Sequence, residues 1–134
     1  KNLNGQYLQS RISNTMVPIK RILLDQQIIA GIGNIYACEI LFNARISPLV
    51  PGKELSLNEC KRIIISTKII LNKAIKYGGS TLKDYVSVDG TLGNFQSNFQ
   101  VYNQEGKKIF GKTVKKIVQY GRSTYYSPDL QKIK

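Results

Sequence analysis

Gly31-Ile32-Gly33-Asn34-Ile35-Tyr36-Ala37 is the stretch on which the reading of this chain turns. It ends one apolar helical pattern and begins another. Two glycines around one isoleucine permit positive φ and a tight double turn. Asn34 then stands as the cap of a helix expected over Ile35 to Ala44. The first amides of a helix have no partner inside it, and the dipole there favours negative charge. The chain has 20 basic and 8 acidic residues among 134, a formal charge of +12. The obvious anion for such a pocket is a backbone phosphate of nucleic acid. By itself the glycine pair also fits an ordinary turn between two helices.

On the N-terminal side, Pro18 starts a helix where its missing N–H costs nothing. Ile19, Ile22, Leu23 and Ile29 supply the apolar positions before the turn. A short helix through about Asn14 precedes it, with Tyr7, Leu8 and Ile12 on one side. On the C-terminal side, Ile35, Cys38, Leu41 and Phe42 recur three and four apart. Pro48, Val50, Pro51 and Gly52 then mark a rigid loop. Ser56-Leu57-Asn58-Glu59 is a capping box. It opens the clearest helix, with Cys60, Ile64, Thr67, Leu71 and Ala74 on one face and Arg62, Lys73 and Lys76 on others. Gly78-Gly79 stops that helix, and Ser80 can cap a short one over Thr81 to Val86.

From Ser87 to Asn98 no steady period survives, which predicts a loop. Phe99-Gln100-Val101-Tyr102, the region near Thr113 to Tyr120, and Ser123 to Ser127 read as strands. Gly121-Arg122 fits a two-residue hairpin turn between the last two. The expected fold class is mainly α with a small β part (α+β). A helical bundle is followed by a β-hairpin, with the division at 1–98 and 99–134.

Composition narrows the function. An apolar fraction of 42% suits a helical core, and no run of about 18 apolar residues suggests a membrane span. No secretory signal pattern opens the chain. Its first residue is Lys1 rather than Met, so a fragment of a longer protein is expected. An amphipathic membrane binder would set Trp or Phe opposite a basic face, and the chain has no Trp. Nucleic acid is the preferred partner, against the plainer reading of lysines that merely solvate the exterior. Cys38 and Cys60 lack disulfide spacing and read as reduced core thiols in a reducing compartment. There is no histidine.

Four blocks in fixed order carry a more specific signal. Lys20-Arg21 opens the helix before the double turn, and Gly78-Gly79-Ser80-Thr81-Leu82-Lys83-Asp84-Tyr85 follows the long helix. Gln100-Val101-Tyr102 and Gly121-Arg122-Ser123-Thr124-Tyr125-Tyr126 come later. In this order and spacing they resemble the C-terminal half of bacterial formamidopyrimidine-DNA glycosylases, from Asn4-Gly5-Gln6-Tyr7-Leu8 to Leu130. The resemblance implies a helix-two-turn-helix DNA-binding domain over 1–98, a lesion-recognition loop at about 87–98 and a finger over 99–134.

It also implies roles for particular residues. Lys20, Gly33 and Asn34 would hold phosphates beside the damaged nucleotide, and Tyr102 would touch phosphate as well. Lys83 would lie near the extruded base, with Gly90, Gly93 and Asn94 in the loop that closes over it. Arg122 would grip phosphates flanking the lesion with its planar fork and take part in the strand-cleaving elimination. The implied partner is double-stranded DNA with an oxidised purine or an abasic site, bound by a monomer, without a membrane. The implied location is the bacterial cytoplasm beside the nucleoid, or an organelle.

The chain departs from the family in three places. Finger positions that carry two Cys-x-x-Cys zinc pairs in most relatives are here Lys107, Phe110, Ser127 and Leu130, and no Cys or His follows Cys60. No cofactor is therefore expected: the finger is zincless, with Phe110 and Leu130 substituting apolar packing at roughly 1.5–3 kcal/mol per buried side chain. Zinc supplies of order 10 kcal/mol in small fingers, so this one should lean on the bundle. Asn14-Thr15-Met16 replaces a lysine-rich stretch that touches DNA in relatives. The N-terminal proline amine and adjacent glutamate that begin the family's chemistry find no match in Lys1-Asn2-Leu3. The chain alone is accordingly expected to bind DNA without glycosylase activity. Two competing readings remain: a basic RNA binder of the ribosomal type that uses a Gly-Ile-Gly turn, and a remnant that only senses damaged DNA.

Overall fold

In the computed structural model, which describes residues 3–76 and 99–133, four helices form a bundle and two small hairpins dock on one of them. Helix α1 spans Gly5–Ile12, where Asn4 caps the start by accepting from the Tyr7 amide at 2.8 Å. Helix α2 is a short piece, Ile19–Leu23, with Pro18 as its N-cap residue. Helix α3 spans Asn34–Ala44 and helix α4 spans Leu57–Lys76, with a 3-10 turn at Gly52–Glu54 between them. The capping box at Ser56 forms in both directions: the Ser56 amide donates to Glu59 Oε1 at 2.9 Å, and the Glu59 amide to Ser56 Oγ at 3.1 Å.

Helix α3 is the middle of the molecule. Every residue from Tyr36 to Phe42 is buried, including Glu39. One side of it joins Leu8, Ile12, Ile22, Ile63 and Ile70 in the main core. Its Cys38 and Phe42 instead join Val101, Val114 and Tyr125 in a second cluster under the hairpins. A helix packed on two sides carries little period in its sequence, which is why the pattern at Ile35, Cys38, Leu41 and Phe42 captures only part of its burial. Helices α1 and α4 pack closely. A Cβ on Gly5 would meet the Lys61 backbone nitrogen at 2.9 Å, so the glycine is required by contact. On α4 the expected face is buried at Cys60, Ile64, Thr67 and Ala74, and Ile63 and Ile70 extend it.

Beyond α4, strands β1 (Lys108–Ile109) and β2 (Lys112–Thr113) pair antiparallel, as do β3 (Lys115–Gln119) and β4 (Arg122–Tyr126). Both turns place two consecutive residues in the left-handed region. Phe110 and Gly111 have φ of 50° and 77°, and Tyr120 and Gly121 have 52° and 79°. That is the geometry of two-residue hairpins, whose turns must match the right-handed twist of the strands.

Three local expectations are corrected. Phe99 to Tyr102 is no strand: its successive amides turn toward one carboxylate on α3 instead of a ladder partner. The turn of the long hairpin is Tyr120-Gly121 rather than Gly121-Arg122, so Arg122 is the first residue of β4, paired with Gln119. Of the two glycines in the double turn only Gly31 has positive φ, at 95°; Gly33 has φ −96°. The hairpin β1–β2 went unread because two-residue strands leave no alternating pattern.

Candidate nucleic-acid interface

The double turn is pinned from inside by Gln26. Its Oε1 accepts from the Gly31 amide at 2.8 Å, and its Nε2 donates to Ile32 O at 3.1 Å. The chain then enters α3 through Gly33, which has no side chain to cap the helix. Asn34 is not the cap, contrary to the sequence expectation. As the first helical residue it leaves the α3 N-terminus without side-chain capping and turns its carboxamide sideways. Asn34 Oδ1 accepts from Lys20 Nζ at 2.7 Å, and Asn34 Nδ2 donates to Ser123 O on β4 at 3.0 Å. The Tyr102 phenol lies beside Asn34: burial pushes its pKa up, and the neighbouring Asn34 side chain acts to lower it.

Lys20 is among the largest fully buried side chains of the described residues, with 1% exposure. Its ammonium donates to Asn34 and, at 2.9 Å, to Thr124 Oγ1 on β4. Both partners are neutral. A buried cation held by dipoles alone carries most of its desolvation cost uncompensated. Burial accordingly pushes the Lys20 pKa below 10.5; the nearby Cys38 acts to raise it, and the positive Arg122 pushes it lower still. Arg122 itself is exposed at the start of β4. The four positions Lys20, Asn34, Tyr102 and Arg122, scattered over a hundred residues of sequence, thus meet at one edge where α2, α3 and β4 converge. Gly33 opens the same helix end. Lys83, Gly90, Gly93 and Asn94, with the short helix at 81–86 and the loop at 87–98, lie outside the described residues.

A cleft of about 510 Å3 opens at this edge between α1, α2 and the β3–β4 hairpin. Arg11, Lys20, Arg21 and Arg122 line it, against the single carboxylate of Asp25.

A model of the formamidopyrimidine-DNA glycosylase H2TH domain matches residues 1–86. The chain belongs to the formamidopyrimidine-DNA glycosylase family. It is 48% identical over 132 residues to the formamidopyrimidine-DNA glycosylase of Zymomonas mobilis, covering 98% of this chain and 49% of that protein. It is 43% identical over 137 residues to the one from Bartonella quintana, covering 96% and 47%. The chain spans about half the length of the curated relatives it matches, and corresponds to their C-terminal half. Among solved structures, Lactococcus lactis Fpg bound to an abasic-site DNA superposes with TM-score 0.85 at 32% identity, over 98% of this chain and 48% of that one. The same protein with a Fapy-dG containing DNA gives 0.85, 32%, 98% and 48%. The glycosylase family, with its helix-two-turn-helix and finger, is thus the right one, rather than a ribosomal RNA binder with a similar turn. Among the described residues no helix is long and apolar enough to cross a membrane.

The four positions that the resemblance matches to zinc ligands hold groups of unlike chemistry. Lys107 is exposed and uses its amide and carbonyl in the loop, bonding to Gln104 O and the Val114 amide at 2.9 Å each. Phe110 is 65% exposed and lies nearly parallel to Phe42, ring centres 6.3 Å apart. Arg45 sits 4.3 Å from the Phe42 ring centre and 5.4 Å from that of Phe110. Ser127 is fully buried, and Leu130 packs on the second cluster. An ammonium and two hydrocarbons do not make a zinc donor set. Phe110 departs from expectation in one respect: it stacks at the rim instead of filling the interior.

Two buried polar residues that build this region, Glu39 and Gln131, are not singled out by the sequence. Glu39 is 4% exposed. Its carboxylate accepts from the Gln100 amide at 2.8 Å and from those of Val101 and Tyr102 at 2.9 Å each. Burial pushes its pKa up, while the Gln100, Tyr102 and Val101 amides and the charge of Lys73 pull it back. The signal was there, since Glu39 is the one charge inside the apolar run Ile35 to Phe42. Gln131 is equally buried: its Oε1 accepts from the Ser127 amide at 2.8 Å and its Nε2 donates to Ile46 O at 2.9 Å. It ties the end of the finger to the residues that follow α3.

Proposed function

We propose that this chain is the duplex-gripping portion of a bifunctional formamidopyrimidine/8-oxoguanine DNA glycosylase with abasic-site lyase activity, acting in base excision repair of oxidised purines. The observation that carries this reading is the Lys20 ammonium, buried against Asn34 and Thr124 with the exposed Arg122 alongside. An ammonium has three N–H donors, and two have protein acceptors. The third, with the uncapped amides at Gly33 and Asn34, fits one oxygen of a phosphate diester. Arg122 fits a second phosphate on the same strand and, in the whole enzyme, assists the elimination step. Tyr102 completes the wall beside Asn34.

Lys83 and the segment bearing Gly90, Gly93 and Asn94 are assigned to the extruded base, with backbone amides reading its edge. The protein acts as a monomer on DNA, in the bacterial cytoplasm beside the nucleoid or in an organelle. The present chain alone grips without excising.

The test is equilibrium binding to a duplex containing an abasic-site analogue, against the same duplex undamaged and a structured RNA. The analogue duplex is expected to bind tightest, with a strong salt dependence. Preference for the RNA would refute the reading. A borohydride-trapped adduct with abasic DNA would refute the inactivity of this chain by itself. Replacing Arg122→Ala should weaken binding to every duplex and make the plot of log affinity against log salt shallower by about one unit. An unchanged slope would remove Arg122 from the phosphate contacts.

The finger is proposed to hold without a metal, by the second cluster, the Phe42–Phe110–Arg45 stack and the Gln131 tie. Its thermal unfolding should be indifferent to strong chelators, whereas zinc-dependent fingers unfold when the metal is removed. A chelator-induced drop in melting temperature would contradict this.

A further inference from the structure

The tip of the β3–β4 hairpin is fastened to the helical bundle on both sides of Arg122, by contacts that the phosphate grip itself does not require. Tyr120 occupies the first position of the turn with φ 52°. That conformation favours Gly, Asn or Asp and is unusual for an aromatic residue, so something outside the turn must select tyrosine. The Arg21 guanidinium lies 4.1 Å from the centre of the Tyr120 ring. Arg21 follows Lys20 on α2, so this contact runs from the helix that carries the buried ammonium to the tip that carries Arg122. On the other side, Gln119 is the cross-strand partner of Arg122. Its Nε2 donates to Pro48 O at 3.2 Å, and that same carbonyl accepts from the Lys20 amide at 3.4 Å.

We propose that Arg21 and Gln119 are positioning residues for Arg122: the guanidinium over Tyr120 and the bridge to Pro48 O hold the hairpin tip against α2, so that Arg122 faces the cleft beside Lys20. A two-stranded ribbon is a poor platform by itself, since isolated hairpins are marginal in water. An arginine on a loose tip must be ordered when it binds, and that ordering is subtracted from the binding free energy. Fastening the tip beforehand removes the subtraction. The inference rests on the proposed phosphate contact of Arg122 and adds the reason why that contact is preformed.

Tyr120→Ala is the primary test, because it removes no charge. It should lower affinity for the abasic-analogue duplex roughly two- to fivefold, the scale of an exposed cation–π contact. Tyr120→Phe, which keeps the ring, should retain wild-type affinity. In an Arg122→Ala background, Tyr120→Ala should have no further effect, because its action passes through Arg122. An equal loss in both backgrounds, or no loss in either, overturns the proposal; the first result would make Tyr120 a direct DNA contact. A second readout needs no DNA. In the free protein, NMR relaxation of the Arg122 Nε–H should report an ordered side chain, loosened by Tyr120→Ala and by Gln119→Ala but not by Tyr120→Phe. Equal order in all four proteins overturns the positioning role even if DNA binding stands. If the wild-type chain fails to bind DNA, the functional reading falls, while the relaxation result still judges the fastening of the tip.

Discussion

Lys20→Met is expected to weaken binding to duplex DNA by about ten- to hundredfold while shifting folding stability by no more than about 1 kcal/mol. The two effects separate because, among the described residues, the buried lysine is held by neutral partners and by no counter-charge. Methionine has similar length and fills the same space. The variant loses two hydrogen bonds from the ammonium, to Asn34 and Thr124, but it also sheds the cost of keeping a cation out of water. Replacing a whole buried ion pair by apolar groups of similar volume is often neutral or stabilising; here the acceptors on Asn34 and Thr124 remain, and the cost of leaving them unpaired roughly cancels the desolvation that is relieved. A lysine with a purely structural role would behave the other way, costing stability and leaving DNA binding intact. The same residue sets a pH dependence. Burial lowers its pKa from 10.5, and Arg122 lowers it further. The cost of the charged form is therefore present at neutral pH and fades as pH rises toward 10.5. A phosphate placed against the ammonium favours the charged form, so binding takes up a proton once the free protein begins to lose it. Wild-type affinity should fall with rising pH already below 10.5, and the fall should be shallower in Lys20→Met. Binding isotherms on both proteins from neutral pH upward, with denaturation curves at neutral pH, check the whole set. Equal affinity of the two proteins would sink the phosphate assignment.

Much of this was legible in the sequence, for identifiable reasons. The capping box at Ser56, the double turn and the face of α4 are local signals, written in residues close together in the chain. Asn34 was singled out by the turn, whereas Lys20 and Arg122 stood out through the resemblance of their blocks to the glycosylase family; by residue type alone each reads equally as a solvated surface charge. What could not be read is what these residues do to each other. Nothing local says that Lys20 is buried, because one of its two partners, Thr124, lies more than a hundred positions away. Asn34 looked like a cap because Asn commonly caps; the competing attraction of Lys20 and Ser123 drew its side chain sideways and left that place to Gly33. Phe99 to Tyr102 looked like a strand because β-branched and aromatic residues favour strands. A carboxylate on α3 offered its amides a better set of acceptors than any neighbouring chain did.

That carboxylate gives the second large effect. Glu39→Gln is expected to cost about 1–3 kcal/mol of stability at neutral pH. The Glu39 oxygens accept three successive amides, from Gln100, Val101 and Tyr102. A carboxamide offers one oxygen to that trio and sets its NH2 donors against the remaining N–H groups, leaving a buried donor without an acceptor. Relief of the buried charge offsets only part of this loss. The sign with pH follows from the raised pKa of Glu39. A carboxyl whose folded pKa lies above its ordinary value of 4.5 adds stability that is fully present below that value and is lost as pH rises through the folded pKa. The gap between wild type and Glu39→Gln should therefore widen as the solution is acidified toward 4.5, and be smallest near neutrality. Urea denaturation of both proteins across that range measures it, and hydrogen exchange at the amides of residues 100–102 locates it. The consequence extends to the interface, because Tyr102 is the last residue that Glu39 holds and its side chain lies beside Asn34. Helix α3 thus fixes the proposed phosphate pocket from two points about one and a half turns apart: Asn34 at its open end, and Glu39 through the Tyr102 backbone. Loss of the second point should lower DNA affinity even where the fold is intact, and unchanged affinity in folded Glu39→Gln would show that Tyr102 keeps its place without it.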